Sequence, residues 1–449
     1  MGRTAYVLLP LSGYVESGRY GELGTKGLSC IAATVAALCV VPIATADRIV
    51  TVGYRTPAAL HGLRVLSRIT ALRTAEVRLR DARAEQALRS HPGIRFAERV
   101  VPRVQVDAPA IPVYASLAVP EWQWNAVHAD LVPAWVQQAA RSITIAVVDT
   151  GADVLAPSIA AKSPVTWNVA TAGTAVHDSV GHGTFVASLA AGSISDATGM
   201  SGFGGEARLM IVQANRGSVA FTDLDEATAI IWAVDHGANI INLSIGGAQT
   251  SQVERSAIDY ATQRGVLLVA AAGNSAEQGN PTVFPAALIG ASGLVVGASD
   301  ALGARAPFST TGTYVDVLAP GVDVLGALAT GVASGFFTPV ATPNANGPYG
   351  YGSGTSYAAP ETAGAAALVW AANPNLDAAG VAATLEATAA GQGRWTNDLA
   401  FGTINVAAAV QHANGVPAPT LLRPVVVTKA KTAKGKVHAA AKKAKRSRP

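Results

Sequence analysis

Between residues 107 and 416 short apolar runs alternate with stretches of helical length. The runs fall at 143–148, 209–212, 240–243, 266–270, 294–296 and 314–318, and most are nearly unbroken in Val, Ile, Leu and Ala. Such runs mark strands covered on both faces, because a strand with one wet face would alternate. Between them, 224–236 and 252–264 read as helices, each closed by a glycine, Gly237 or Gly265, where the chain needs a left-handed residue. The pattern predicts a doubly wound α/β fold with a mostly parallel sheet and helices on both faces. There is no internal repeat.

The chain before this region has another rhythm. Ile49-Val50-Thr51-Val52 reads as a strand, Pro57 as a turn and Ala75-Glu76-Val77-Arg78-Leu79 as an alternating strand. Residues 81–90 read as a helix stopped by His91-Pro92-Gly93, and Ile94-Arg95-Phe96 opens a further strand. That order predicts a small ferredoxin-like α+β unit over 47–106. Upstream, 28–41 is apolar and uncharged; Lys26 precedes it, Pro42 breaks it, and Ala44-Thr45-Ala46 has the small-x-small form that signal peptidase cleaves. Residues 1–46 therefore read as a secretory signal and the protein as secreted. An apolar core of about a dozen residues falls short of the roughly 20 that a membrane span needs, which ranks an uncleaved anchor second.

Charge changes this picture more than composition does. Half of the 449 residues are hydrophobic and only 14% are charged, which suits a compact enzyme-like fold and excludes a disordered scaffold. The net charge of +4 conceals three blocks. Residues 47–106 hold 12 Arg and 5 acidic residues, net +7; 107–416 hold 8 basic and 22 acidic, net −14; 417–449 hold 10 basic residues and no acid. Opposite fields on neighbouring segments favour docking of the first on the second. The last block has too little apolar content to bury and reads as a solvated tail, with polyanion contact as its functional alternative. Both cysteines, Cys30 and Cys39, lie inside the signal, so the mature chain would carry no disulfide.

Four positions carry candidate chemistry. The run 143–148 delivers Asp149 to the carboxyl end of a buried strand, where active sites of open α/β sheets collect. His182 stands between Gly181 and Gly183 at the start of an apolar helical run, and glycines there allow close backbone approach. Ser356, in Gly354-Thr355-Ser356-Tyr357-Ala358-Ala359-Pro360, opens a second apolar helix, whose N-terminal N–H groups suit a nucleophile that generates an oxyanion. Asn274 ends the run Val269-Ala270-Ala271-Ala272-Gly273 and offers a neutral amide donor. Singly, each residue could merely cap a turn or helix.

Together, in the order Asp, His, Asn, Ser, these motifs resemble the subtilisin-like serine proteases. The likeness spans roughly 121–411 and includes Gln123-Trp124-Asn125, Ile241 to Gly247, Val315 to Gly321 and Gly402 to Val406. The resemblance implies a triad of Asp149, His182 and Ser356, with Asn274 as oxyanion-hole donor and Leu243, Ser244, Ile245 and Gly246 as the substrate-binding edge. It implies protein or peptide substrates and no cofactor for the chemistry. It also makes 47–106 a propeptide that assists folding and inhibits until cleaved, and 107–416 the catalytic domain. Phe185 and Glu361 stand where the family often has histidines outside the triad. Ser158 replaces a calcium-ligating Asp, and Ser195-Asp196-Ala197-Thr198-Gly199 matches the calcium loop only loosely, which puts a structural calcium in doubt. Val283, before Phe284-Pro285, falls near the base of the specificity pocket and favours modest apolar side chains. Two other readings stand beside this one: a catalytically inactive relative used for binding, and a polyanion-binding protein acting through its tail.

Overall fold

The computed structural model describes residues 48–105, 121–193, 201–216, 220–340, 348–417 and 420–421. The expected secretory signal lies outside these residues, as do the loop 195–199 and nearly all of the basic tail.

The N-terminal unit comprises β1 (Arg48–Tyr54), β2 (Arg64–Ile69), β3 (Thr74–Leu79), α1 (Ala82–Arg89) and β4 (Ile94–Arg99). Its strands form an antiparallel sheet in the order β2-β3-β1-β4. That is ferredoxin-like connectivity with the first crossover helix cut to a single 3-10 turn at Pro57–Leu60, where proline pre-sets the backbone. The second crossover is α1, started by Asp81, whose carboxylate accepts the Ala84 N–H at 2.8 Å. Val50, Val52, Leu60, Val77, Leu88 and Ile94 form a small core of their own. A fifth strand, β5 (Pro102–Gln105), leaves this sheet altogether.

The larger body begins with α2 (Trp122–Ala126) and α3 (Ala134–Ala139), then β6 (Thr144–Asp149), α4 (Pro157–Ala160), β7 (Val165–Asn168), α5 (His182–Ala191) and β8 (Arg208–Gln213). Next come β9 (Ala220–Thr222), α6 (Asp223–Asp235), β10 (Ile240–Leu243), β11 (Ile245–Gly246), α7 (Gln252–Thr262), β12 (Leu267–Ala271), β13 (Gly293–Ser299) and β14 (Val317–Pro320). The chain closes with β15 (Val324–Ala327), β16 (Phe337–Val340), β17 (Tyr349–Gly352), α8 (Thr355–Ala372), α9 (Ala378–Thr388) and α10 (Val406–Ala413).

Seven strands make one parallel sheet in the order β14-β13-β12-β10-β6-β8-β7. Alternate residues of each strand serve different faces. Ile145, Val147, Leu209 and Val269 join α5 and α8 in one core, while Ala146, Val148, Met210 and Leu268 join α6 and α7 in the other. Two apolar faces account for the unbroken apolar runs. The helix signals also hold. Thr222 and Asp225 form a reciprocal capping box at the start of α6, Ser251 caps α7, and Gly237 and Gly265 follow with φ of +85° and +73°. The strand expected at 314–318 instead spans Val317–Pro320, because Asp316 pairs with the Val295 N–H through its carboxylate at 2.7 Å before the regular ladder begins.

From β6 the chain crosses to β7 at the sheet's edge, comes back to β8 beside β6, then passes to β10 on the other side and continues to β14. The direction of winding thus reverses between β6 and β10, and a crevice opens beyond their carboxyl ends. Asp149 ends β6 and Ser244 follows β10 at that point.

Candidate active site

Asp149 and His182 meet across this crevice. The carboxylate Oδ1 lies 2.7 Å from His182 Nδ1 and also accepts the Thr150 N–H at 2.7 Å. A carboxylate fixed at Nδ1 favours the tautomer with the proton there and leaves Nε2 as the ring's acceptor nitrogen. The glycines beside the histidine are steric requirements: Gly181 has φ +89°, and a Cβ on Gly183 would collide with the Gly151 carbonyl oxygen. Sequence reasoning passed over Asp178, which braces the whole turn. Its Oδ1 accepts from Thr150 Oγ1 and the Val180 and Gly181 N–H groups, and its Oδ2 from the N–H and hydroxyl of Thr184. An acid four residues before His182, just ahead of an apolar helix, was the available signal.

Ser356 lies in the first turn of α8, wholly buried, and α5 packs along α8 so that the His182 and Tyr357 rings stand 5.8 Å apart. Pro360 shapes this turn. Proline has no N–H, so the Ser356 carbonyl loses its partner four residues on. The Ser244 hydroxyl takes that place, donating to the Ser356 carbonyl at 2.7 Å, while the Ser356 hydroxyl donates to the Ser244 carbonyl at 3.1 Å. Asn274 is oriented just as firmly. Its side-chain oxygen accepts the Thr355 N–H and the Thr355 hydroxyl, each at 2.9 Å. A backbone N–H can only donate, so the oxygen must face Thr355 and the NH2 group must face away from it. Val283 packs close to Gly273, beside Asn274. Ser158 is buried and offers a hydroxyl where a calcium ligand was considered; among the described residues no group of three or more His, Cys, Asp or Glu is placed to hold a metal.

The expected substrate edge divides in two. Leu243 belongs to β10, paired with Ala270 inside the central sheet, whereas Ile245 and Gly246 form β11 at the crevice. There β11 pairs antiparallel with β5, and β5 pairs antiparallel with β9 on its other side, giving a three-stranded sheet β11-β5-β9. The N-terminal unit is further anchored by Glu98, which accepts the Gln252 N–H at the start of α7, and by Asp223, which accepts the Val101 N–H at the start of α6. Ile69 adds an apolar contact to the core around α6 and α7.

Within β5, Arg103 is fully buried. Its Nε lies 2.9 Å from Glu226 Oε2 and 3.1 Å from Glu254 Oε1, its Nη2 lies 2.5 Å from Glu254 Oε1, and its Nη1 donates to the Pro102 carbonyl. Burial lowers the Arg103 pKa, but Glu226 and Glu254 more than offset it and hold the guanidinium above its ordinary value. Glu226 shifts upward through burial and, next, the neighbouring Glu254.

A sequence model of the subtilase family matches residues 140–413. Thermitase of Thermoactinomyces vulgaris is 32% identical over 285 residues, which cover 62% of this chain and 92% of thermitase. A thermophilic serine proteinase of Bacillus sp. (strain AK1) is 37% identical over 238 residues, 53% of this chain and 54% of that protein, so the chain spans about half of its length. Among solved structures, fervidolysin from Fervidobacterium pennivorans, a keratinolytic enzyme related to subtilisin, superposes with a TM-score of 0.71 at 26% identity, over 84% of this chain and 62% of that one. The epidermin leader peptide processing serine protease of Staphylococcus aureus shares the fold at 20% identity, with a TM-score of 0.66 over 83% of this chain and 99% of that one.

Proposed function

The chain belongs to the subtilase family, and from that premise we propose that it is a secreted serine endopeptidase made as an inhibited precursor. The observation that carries the reading is the 2.7 Å Asp149–His182 contact at the switch point, with Ser356 in the adjoining helix turn. In this reading Ser356 Oγ attacks a peptide carbonyl while His182 Nε2 takes its proton. Asp149 holds the imidazole and stabilises its charge. The oxyanion accepts from the Asn274 NH2 group and the Ser356 N–H at the start of α8. His182 returns the proton to the leaving amine, the acyl-enzyme forms on Ser356, and water activated by His182 releases it.

Residues 1–46 then direct export, 47–106 act as propeptide, 107–416 are the catalytic domain and 417–449 a basic tail. The pairing of β5 with β11 and β9 supports the propeptide role: a segment of the chain itself lies where a substrate strand would add to the edge. No metal enters the chemistry, and Ser158 offers no charge for a structural calcium.

Labelling with a fluorophosphonate tests the assignment. The purified enzyme freed of residues 47–106 should label once, and Ser356→Ala should abolish both labelling and peptide hydrolysis while preserving the fold. A folded wild-type protein that, once freed of that segment, neither labels nor hydrolyses would favour the reading as an inactive relative.

A further inference from the structure

We propose that Glu226 and Glu254 form an arginine-selecting subsite of the substrate cleft, so that this chain prefers peptides with Arg three residues upstream of the attacked carbonyl. The proposal rests on the protease reading and specifies its substrate class.

The position follows from register. Val104 pairs with Gly246 and Gln105 with Ile245. A substrate strand in the place of β5, continued by one residue in that register, reaches Ser244, whose carbonyl accepts the Ser356 hydroxyl. The residue opposite Ser244 is therefore the one presented to the nucleophile, and the residue equivalent to Arg103 lies three before it. Side chains alternate along the strand: Val104 is 47% exposed, whereas Arg103 points inward and is fully buried.

The pocket belongs to the catalytic body and stays when the segment leaves, because Glu226 is on α6 and Glu254 on α7. Both acidic side chains are wholly buried, and Glu226 Oε1 and Glu254 Oε2 find no hydrogen-bond partner even with Arg103 in place. Asp223 adds a third carboxylate nearby. An apolar pair would have anchored β5 at lower desolvation cost, so two carboxylates here are better understood as selection than as adhesion. An incoming apolar side chain would leave two buried carboxyl groups without a partner, whereas the guanidinium fork satisfies both from one residue.

Two chromogenic peptides that differ at one position test this: Arg-Val-Gln-Val and norleucine-Val-Gln-Val, each as a 4-nitroanilide, given to the chain expressed in full and processed. Norleucine keeps the aliphatic stem without the charge. The Arg peptide should have kcat/KM at least tenfold higher, and in Glu226→Gln/Glu254→Gln the ratio should fall towards one. Hydrolysis of both peptides at equal kcat/KM by wild-type enzyme would overturn the subsite and leave the protease reading intact. Hydrolysis of neither, nor of denatured protein, would overturn the protease reading and the subsite with it. The wild-type comparison needs no variant to fold.

Discussion

Ser244 and Ser356 hold each other reciprocally, hydroxyl to carbonyl in both directions, at 2.7 and 3.1 Å. The Ser244 hydroxyl also accepts from Asn242 Nδ2 at 2.9 Å, so it links the end of β10 to the first turn of α8. Ser244→Ala should leave two buried polar groups unmet and cost about 1–3 kcal/mol of stability. Thermal unfolding in a Ser356→Cys background, which limits self-digestion, would measure it; an unchanged Tm would show that the link carries no weight.

Asn274 makes a separable prediction. On the protease reading Asn274→Ala should lower kcat about a hundred- to a thousandfold with little change in KM, by removing one oxyanion donor. Thr355→Val deletes only the hydroxyl that orients the amide, keeps the N–H bond, and should produce a smaller loss in kcat. Equal losses would mean that both substitutions act through folding.

Two buried acids make stability depend on pH. Glu361 sits wholly buried in α8 with neither carboxylate oxygen meeting a donor; burial, and then Glu121, push its pKa well above the usual range. Burial raises Glu121 to about 7, against the pull of the Ser201 N–H. Both folded-state values exceed the unfolded 4.5. The folded chain therefore holds protons that the unfolded chain releases; the stabilisation is full below pH 4.5, Glu121's share is lost as pH rises through about 7, and Glu361's is lost as pH rises from 4.5 through its own raised pKa. Glu361→Gln should raise Tm at pH 8 by about 5 °C relative to the parent and much less at pH 5. Scanning calorimetry at the two pH values decides it, and an equal shift at both would remove the titration argument.

Docking of the N-terminal unit should be steered by charge yet held by buried contacts. On the propeptide reading, isolated 47–106 added to the processed enzyme should inhibit hydrolysis. With +7 facing −14, the association rate should fall steeply between about 0.05 and 0.5 M salt. The dissociation rate should change little, because Arg103 and its partners are out of reach of salt. Stopped-flow inhibition kinetics separate the two rates. Absence of inhibition up to the solubility limit would end the propeptide reading.

Much of this architecture was legible in the chain because burial on both faces leaves a plain mark: the runs at 209–212 and 240–243 could be little else. Asp149 stood out as a candidate at the end of an apolar run, and His182, Asn274 and Ser356 through the small residues beside them. What escaped notice was charged. β2 reads Arg-Val-Leu-Ser-Arg-Ile and β5 Pro-Arg-Val-Gln, too short and too polar to register as strands. The burial of Arg103 depends on Glu226 and Glu254, 123 and 151 residues away, and no local window contains that information. Glu226 itself looked like an ordinary acid favouring the first turn of a helix. The split of the expected edge between β10, which ends at Leu243, and β11, which starts at Ile245, was not legible, because the motif runs unbroken through both.

The first turn of α6 has a consequence for how the cleft could change. Asp223, Asp225 and Glu226 follow one another there: Asp225 closes the capping box, Asp223 receives Val101, and Glu226 grips Arg103. Helix initiation, attachment of the N-terminal unit and recognition of a guanidinium thus draw on four consecutive residues, counting the intervening Leu224. A new preference at this pocket is therefore not reachable by one free substitution. On the propeptide reading, a lineage that alters the helix start must also rewrite Arg103, since a precursor has to fit its own cleft, and selectivity and maturation then evolve together.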